Sequence, residues 1–178
     1  MKVVVISGSY RRKGASAFLA DRFIDGAREA GHEVFRFDAA FETVGGCRGC
    51  DYCARGTKPC VQNDGMSVLN PHLVDADFVA FVTPLHHFHM SAQLKAVIDR
   101  FYANDARLMG GKRAVLRATA KSGSSRTIQG LVDSYMTIIR YLSWANAGEV
   151  LALGCGDRNL IEVSVFPDAA CRLGVSLK

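Results

Sequence analysis

The chain has 178 residues, of which 49% are hydrophobic and 22% charged, as is typical of a globular protein with a sizeable core. Its formal net charge of +5 comes from cations spread along the chain without an RNA- or DNA-binding motif, so it favours anionic small molecules over nucleic acid. No segment is apolar for long enough to span a bilayer, and the N-terminus lacks a signal-peptide pattern. We therefore expect a cytoplasmic protein that is not associated with a membrane.

Two kinds of apolar pattern alternate along the chain. Residues 3–6 form a short β-branched run, as in strands buried on both faces. Over 16–30 the apolar residues recur at helical spacing, and Gly31 follows as a helix stop. A second strand is predicted over 33–37. The segment 39–64, rich in glycine and cysteine, shows no clear periodicity and is expected to be a functional loop insert.

The remainder of the chain continues the alternation. Predicted in chain order are a strand over 78–83, a helix over 91–102, a strand over 113–118, a helix over 127–144, a strand over 149–153 and a short helix over 166–177. Five strands that alternate with helices predict one α/β domain over residues 1–178 with a parallel, doubly wound sheet. Ligands bind such sheets beyond the carboxyl ends of the strands, so a site is expected in the loops that follow the first, third and fourth strands.

The loop after the first strand combines hydroxyl groups, glycines and cations. It reads Ser7-Gly-Ser-Tyr-Arg-Arg-Lys-Gly-Ala-Ser16 and leads directly into a helix. The free N–H groups and the dipole at a helix N-terminus favour an anion. The loop matches neither the P-loop nor the dinucleotide motif G-x-G-x-x-G. It is therefore predicted to bind a terminal phosphate monoester, the alternative being an ordinary turn capped by Ser16.

Three motifs, in order along the chain, resemble the NADPH-dependent FMN reductase family of the flavodoxin-like fold. Gly8-Ser9-x-Arg11-x-x-Gly14-x-Ser16 is similar to the family's FMN phosphate loop. The segment 91–102, after Thr83-Pro84, is similar to the part that carries the flavin-ring loop and the helix behind it. Cys47-x-x-Cys50-x-x-Cys53, followed by Cys60, is similar to the branch that includes the iron–sulfur flavoproteins. Together the matches cover most of residues 2 to 153.

The resemblance implies a flavodoxin-like sheet with strand order 2-1-3-4-5 and a bound FMN. It places the phosphate against Ser9, Arg11, Gly14, Ala15 and Ser16. It places the isoalloxazine ring against Thr83, Pro84, Leu85 and His86, with Thr119, Ala120, Lys121 and Gly123 along the other edge. We expect His86 and Lys121 to tune the flavin. No residue is assigned as an acid–base catalyst, because FMN performs the redox chemistry.

The sequence departs from the family after Pro84. Where the family has a small apolar residue, an aromatic pair and often glycine, this chain reads Leu85-His-His-Phe-His-Met90. Three histidines in four positions favour a contact between His86 and the flavin or the substrate. Metal binding is the alternative, although neighbouring histidines on one loop seldom converge on an ion. Tyr10 stands where the family often has proline, which lowers the rigidity of the loop.

Four of the six cysteines, Cys47, Cys50, Cys53 and Cys60, lie within one short window. In a cytosolic protein such a cluster indicates metal or redox chemistry rather than disulfides. The compact spacing is that of a [4Fe–4S] cluster, in which each iron takes one thiolate. Zinc is an alternative, and so are reduced thiols that shape the rim of the site. Cys155 and Cys171 are expected to be buried and unreactive.

The sequence therefore predicts an FMN-dependent NAD(P)H oxidoreductase that passes electrons to a small-molecule or protein acceptor. We expect a homo-oligomer, either a dimer or a tetramer. The alternative is an iron–sulfur flavoprotein that carries single electrons between proteins, although the basic isoelectric point near 9.0 disfavours an acidic carrier of the flavodoxin type. A flavin-binding sensor without turnover is the third hypothesis, and the choice between NADH and NADPH stays open.

Overall fold

A computed structural model describes residues 1–55 and 60–178 of the chain. Its centre is a five-stranded sheet in the order β2-β1-β3-β4-β5, with every neighbouring pair parallel. The strands are β1 (Lys2–Ser7), β2 (Glu33–Asp38), β3 (Phe78–Pro84), β4 (Arg113–Thr119) and β5 (Ala145–Ala152). The predicted flavodoxin-like fold and strand order are confirmed.

Helices cover both faces of the sheet, as the alternation of strands and helices predicts. They are α1 (Ala15–Glu29), α2 (Met66–Asp75), α3 (Ala92–Asp99), α4 (Asp105–Leu108), α5 (Gln129–Tyr141), α6 (Arg158–Glu162) and α7 (Phe166–Val175). One core lies between the sheet and α1, α6 and α7, and the other between the sheet and α2, α3, α4 and α5. Among the described residues, no helix combines the length and apolarity needed to cross a bilayer.

The short helices α4 and α6, the helix α2 and the start of β5 differ from the sequence-based expectation. Helix α2 is not predicted, because Pro71 interrupts the pattern, yet Met66, Leu69 and Leu73 are buried on one side of it at helical spacing. Strand β5 begins at Ala145, four residues before the predicted strand, because a bulge shifts its register against β4. The bulge lies where Gly148 has a φ of 127°, a conformation that glycine adopts without strain. Cys155 is buried as expected, whereas Cys171 is partly exposed.

A buried arginine lies in the core beneath α1. Arg117 of β4 has no exposed surface, and its guanidinium lies 4.8 Å from the ring centroid of Phe23. Its Nη1 donates to the carbonyl of Leu116 at 3.0 Å, while Nε and Nη2 have no hydrogen-bond partner in the described part of the chain. Burial lowers the pKa of Arg117 to about 9, because the charged form is cut off from water.

The carboxyl ends of four strands meet along one edge of the sheet. Ser7 at the end of β1 is paired with Val82 of β3, and Thr119 at the end of β4 is paired with Pro84 on one side and Ala152 on the other. The loops that leave these strands therefore start side by side. This edge is where a parallel sheet of this kind binds ligands.

Candidate active site at the carboxyl edge of the sheet

A cavity of about 740 Å³ opens where β1, β3, β4 and β5 end, and its size is that of a small-molecule site. Its walls are formed by Ser9, Tyr10, Arg11, Gly14, Ala15, Ser16, Pro84, Leu85, His86, Thr119, Lys121, Gly154, Gly156, Asp157 and Leu160. Ten of the thirteen residues predicted to contact the cofactor are among these. The structure thus brings the loops after the first, third and fourth strands into one site.

The first wall is the N-terminus of α1. The helix starts after Gly14, no side chain caps its first N–H groups, and its first turn contains no acidic residue. Ser16 is not the N-cap of the alternative interpretation: its hydroxyl lies 2.6 Å from the hydroxyl of Thr119 and so joins the first loop to β4. Uncapped N–H groups beside the hydroxyls of Ser9 and Ser16 form an anion site, which fits the phosphate end of FMN.

Glycine at position 8 allows the phosphate loop to run against α3. The Gly8 N–H donates to the carbonyl of Val82 at 2.9 Å. A Cβ atom on Gly8 would lie 2.2 Å from the Ser91 hydroxyl and 2.8 Å from the Cβ of Leu94. Ser91 is the N-cap of α3, and its side chain accepts from the Leu94 N–H at 3.4 Å. The loop and the start of α3 are therefore held in direct contact.

Three of the predicted contact residues do not line the cavity. Thr83 is buried behind the loop, where its hydroxyl accepts from the Ser91 N–H at 2.9 Å and donates to the Pro84 carbonyl at 2.8 Å. Ala120 is buried and donates its N–H to the carbonyl of Ala152 at 3.0 Å. It points away because side chains alternate along an extended segment, with Thr119 and Lys121 facing the cavity. Gly123 is exposed, beyond the cavity walls.

The histidine segment after β3 is a tight hairpin. The N–H of His86 donates to the carbonyl of His89 at 2.9 Å, and the reverse bond is 3.0 Å long. The two residues at the turn, His87 and Phe88, have φ angles of 44° and 66°. His86 lines the cavity, whereas His87 and His89 do not. Among the described residues, no three His, Cys, Asp or Glu side chains could share a metal ion.

The loop after β5 contributes a wall that sequence reasoning missed. Gly154, Gly156, Asp157 and Leu160 line the cavity, and Asp157 caps α6 by accepting from the Leu160 N–H at 3.0 Å. A Cβ atom on Gly156 would lie 2.9 Å from the Cβ of Lys121, so glycine is needed for the two loops to touch. The signal that could have found this loop is a glycine pair and a capping aspartate directly after a predicted strand.

The charges at the cavity also suit an anionic ligand. In the described ranges 1–55 and 60–178, neither Arg11 nor Lys121 forms an ion pair. Asp157 is the acidic residue among the cavity walls. The cavity walls therefore carry two cations without a protein counterion and one carboxylate. This excess of positive charge favours a negatively charged molecule in the cavity.

A buried ion pair connects the beginning and the end of the cysteine-rich segment 39–64. Arg100 Nη1 donates to Asp64 Oδ2 at 2.6 Å and to the Gly45 carbonyl at 2.8 Å, and Nη2 approaches the Gln62 carbonyl at 3.3 Å. Burial opposes ionisation of Asp64, but hydrogen bonds from Arg100 and from the N–H groups of Gly45 and Met66 outweigh it and lower its pKa. Burial likewise opposes the charge of Arg100, but Asp64, with a smaller effect from Cys60, raises its pKa.

The four clustered cysteines are free thiols on this loop. Cys47 and Cys50 are exposed, while Cys53 and Cys60 are partly exposed. Four thiols are the donor set that a [4Fe–4S] cluster requires. In the described structure, however, no three of them lie close enough together to share a metal ion. The chemistry of the donor set fits a cluster, whereas its arrangement here does not assemble one.

Comparisons with known proteins agree on the fold. The azoreductase of Bacillus anthracis superposes with a TM-score of 0.75 at 16% identity, covering 99% of this chain and 100% of that one. The NAD(P)H:quinone oxidoreductase of Methanothermobacter marburgensis superposes with a TM-score of 0.72 at 20% identity, covering 99% of this chain and 95% of that one. At such identities the likeness shows a common fold.

The sequence comparisons identify the family. An iron–sulfur flavoprotein of Methanocaldococcus jannaschii is 34% identical over 100 residues, which are 56% of this chain and 50% of that protein. The chain spans about half the length of the first curated relatives that it matches. The model of one family matches residues 1–154, which include the phosphate loop, the histidine hairpin and the cysteine segment. The chain therefore belongs to the NADPH-dependent FMN reductase family.

Proposed function

We propose that the chain is an FMN-dependent NAD(P)H oxidoreductase, built as a single flavodoxin-like domain with residues 39–64 as an insert. The observation that carries the proposal is the cavity of about 740 Å³ with an uncapped helix N-terminus at one wall and unpaired cations around it. When bound, FMN would supply the redox chemistry, which is hydride transfer from the nicotinamide and electron transfer to an acceptor. The protein's part is to bind and orient the flavin and to admit the two partners in turn.

The wall residues divide into two groups by their chemistry. Ser9, Arg11, Gly14, Ala15 and Ser16 present hydroxyls, N–H groups and a cation, and they would hold the phosphate. Pro84, Leu85 and His86, with Thr119 and Lys121 across the cavity, would hold the isoalloxazine ring. The cation of Lys121 would stabilise the negative charge that the ring gains on reduction, and the imidazole of His86 would contact the ring and tune it.

Two measurements test this proposal. FMN titrated into the apoprotein should bind in a one-to-one ratio, and Arg11→Ser should weaken binding about tenfold or more through loss of a charged hydrogen bond. Arg140→Ser, the same change on the exposed end of α5, should leave FMN affinity unaltered. The holoprotein should oxidise NADPH or NADH with quinone, free flavin or ferricyanide as acceptor. Binding of FMN without any acceptor-dependent rate would instead support a flavin sensor without turnover.

A second candidate function is electron transfer through FMN and a [4Fe–4S] cluster. The observation that favours it is the set of four free thiols on one loop, which the ion pair between Arg100 and Asp64 anchors to the rest of the domain. Cys47, Cys50, Cys53 and Cys60 would hold the cluster. Protein purified without oxygen should then contain about four irons and four acid-labile sulfides per chain. Flavin bands without iron would leave the thiols as part of the rim and the two-electron reductase as the function.

We also propose that the chain forms a homo-oligomer. An apolar groove of about 400 Å³ lies between α5 and the 3₁₀ turn Arg100–Asn104, where Tyr102 and Tyr141 are 49% and 60% exposed and Ile98 and Ile138 are partly exposed. Contiguous exposed apolar surface of this kind is often covered by another subunit. Sedimentation equilibrium should give a dimer or a tetramer, and a mass of 19.3 kDa, that of one chain, would contradict the proposal.

A further inference from the structure

Three consecutive cations follow the first strand, and the structure separates their roles. Arg11 lines the large cavity, whereas Arg12 does not. The Arg12 guanidinium lies instead over the ring of Phe41, 3.7 Å from its centroid. In the described part of the chain Arg12 forms no ion pair. Arg12 is therefore an exposed cation that is held by an aromatic ring, directed away from the phosphate site and free to bind a second anion.

A second cavity, of about 420 Å³, lies beside this arginine. It is formed where β2 ends and α3 begins, by Tyr10, Ala39, Ala40, Phe41, Glu42, Thr43, Val44, Ala92, Gln93 and Ala96. Tyr10 also lines the large cavity. The two cavities therefore share a wall, and a long ligand with one end at the isoalloxazine ring could extend into the second cavity.

The chemistry of the second cavity matches a phosphorylated purine nucleoside. Tyr10 is 63% exposed and Phe41 37%, and the two rings meet edge to face with centroids 6.2 Å apart. Because Arg12 lies over Phe41, the exposed ring of Tyr10 is the surface on which a nucleobase could stack. A planar guanidinium such as that of Arg12 binds phosphate through paired hydrogen bonds. The carboxylate of Glu42 and the amide of Gln93 can accept hydrogen bonds from an exocyclic amine. These groups together favour a ligand that carries both a nucleobase and a phosphate.

We propose that the second cavity is the subsite for the adenosine 2′-phosphate end of NADPH, with the adenine stacked on Tyr10 and the 2′-phosphate bound by Arg12, which Phe41 holds beside the cavity. The proposal rests on the oxidoreductase function proposed above and deepens it by assigning NADPH preference to this groove. Arg12 is then a specificity-determining residue: NADH lacks the phosphate that it contacts. Since neither Arg12 nor Phe41 lines the large cavity, substitutions at these two positions should affect nucleotide binding and not flavin binding.

The first test is the choice between the two nicotinamide nucleotides. Arg12→Ser should lower kcat/KM for NADPH about tenfold or more, as expected for loss of a charged hydrogen bond, and should leave kcat/KM for NADH within about twofold. The loss should appear in KM, because the adenosine end is remote from the reacting atoms. Phe41→Ala should give a smaller effect in the same direction. FMN content and circular dichroism should match the wild type, and Arg140→Ser serves as the charge-matched control.

The second test does not depend on turnover. Adenosine 2′,5′-bisphosphate should bind the FMN-loaded protein in calorimetry, and Arg12→Ser should weaken that binding by a similar factor. If the wild type oxidises neither nucleotide but binds the bisphosphate through Arg12, the proposed function fails and the subsite stands. If NADPH is oxidised but Arg12→Ser changes the two nucleotides equally, or neither of them, the assignment of the subsite is wrong. Failure of the wild type to bind the bisphosphate would overturn it as well.

Discussion

The histidine hairpin stores backbone strain that a two-residue exchange should remove. His87 and Phe88 have positive φ angles, and together they form the two-residue turn between His86 and His89. Turns with two left-handed residues favour Asn-Gly, because other side chains clash with the backbone in that region. We predict that the double substitution His87→Asn with Phe88→Gly stabilises the protein.

The magnitude follows from the conformations of the two residues. Each left-handed residue other than glycine costs about 1–2 kcal/mol, so the turn carries roughly 2–4 kcal/mol. Asparagine tolerates the left-handed conformation better than histidine and so relieves part of this cost. Glycine relieves the strain at position 88, but about 0.5–1 kcal/mol of that gain is offset because glycine loses more backbone entropy on folding. The net gain should be about 1–2 kcal/mol. For a chain of this size this corresponds to a rise in Tm of roughly 2–8 °C.

Thermal and urea unfolding of the apoprotein measure the gain. Ser143→Gly is the matched control, because Ser143 has a φ of 56° at the end of α5, far from the cavity, and should give about half the gain. If the double variant is equally or less stable than the wild type, the turn is not strained and the reasoning fails. A gain in stability with a loss of reductase activity would show that the exposed Phe88, with 65% of its surface open, serves the reaction.

Three further substitutions test other parts of the structure. Gly156→Ala should weaken FMN binding severalfold and lower the free energy of unfolding by about 1–3 kcal/mol, because the new Cβ would lie 2.9 Å from the Cβ of Lys121. FMN fluorescence titration measures the first effect and thermal unfolding the second. Unchanged values in both would contradict the contact between the two loops. Arg117→Met should raise stability by about 1–3 kcal/mol at pH 7 in urea unfolding, since it removes a buried group with unsatisfied hydrogen-bond donors. Because the folded-state pKa of Arg117, about 9, is well below its ordinary value, this gain should shrink as pH rises above about 9, and a pH-independent gain would refute the cause. Asp64→Asn should cost about 3 kcal/mol near pH 7, because it leaves the buried Arg100 without its counterion. The folded-state pKa of Asp64 lies below 3.8, so the stability contributed by its charge should be present above that pH and lost as pH falls below it; urea unfolding of the wild type and the variant should converge there.

Local sequence determined the fold class and the first wall of the cavity, which is the loop that leads into α1. The apolar runs 3–6, 78–83 and 113–118 are strands because β-branched and apolar residues without interruption suit a layer buried on both faces. The hydroxyls, glycines and cations that follow the first run were recognisable as a phosphate loop because an anion site at a helix N-terminus needs only neighbours in sequence. The family motifs are equally local, and the resemblance that they carry implied the strand order, which the pairing of distant strands then realises.

Tertiary structure alone decided which distant groups meet. Nothing local to Arg100 indicates that it binds Asp64, 36 residues away, or that it closes the cysteine segment. The loop after β5 became part of the cavity only because β5 lies beside β4, and its Gly156 packs on Lys121. Arg11 and Arg12 are neighbours in sequence, yet Arg11 lines the cavity while the guanidinium of Arg12 lies over Phe41, three residues beyond β2. Such contacts depend on the path of the whole chain, whereas propensity and periodicity describe only a residue's immediate neighbours.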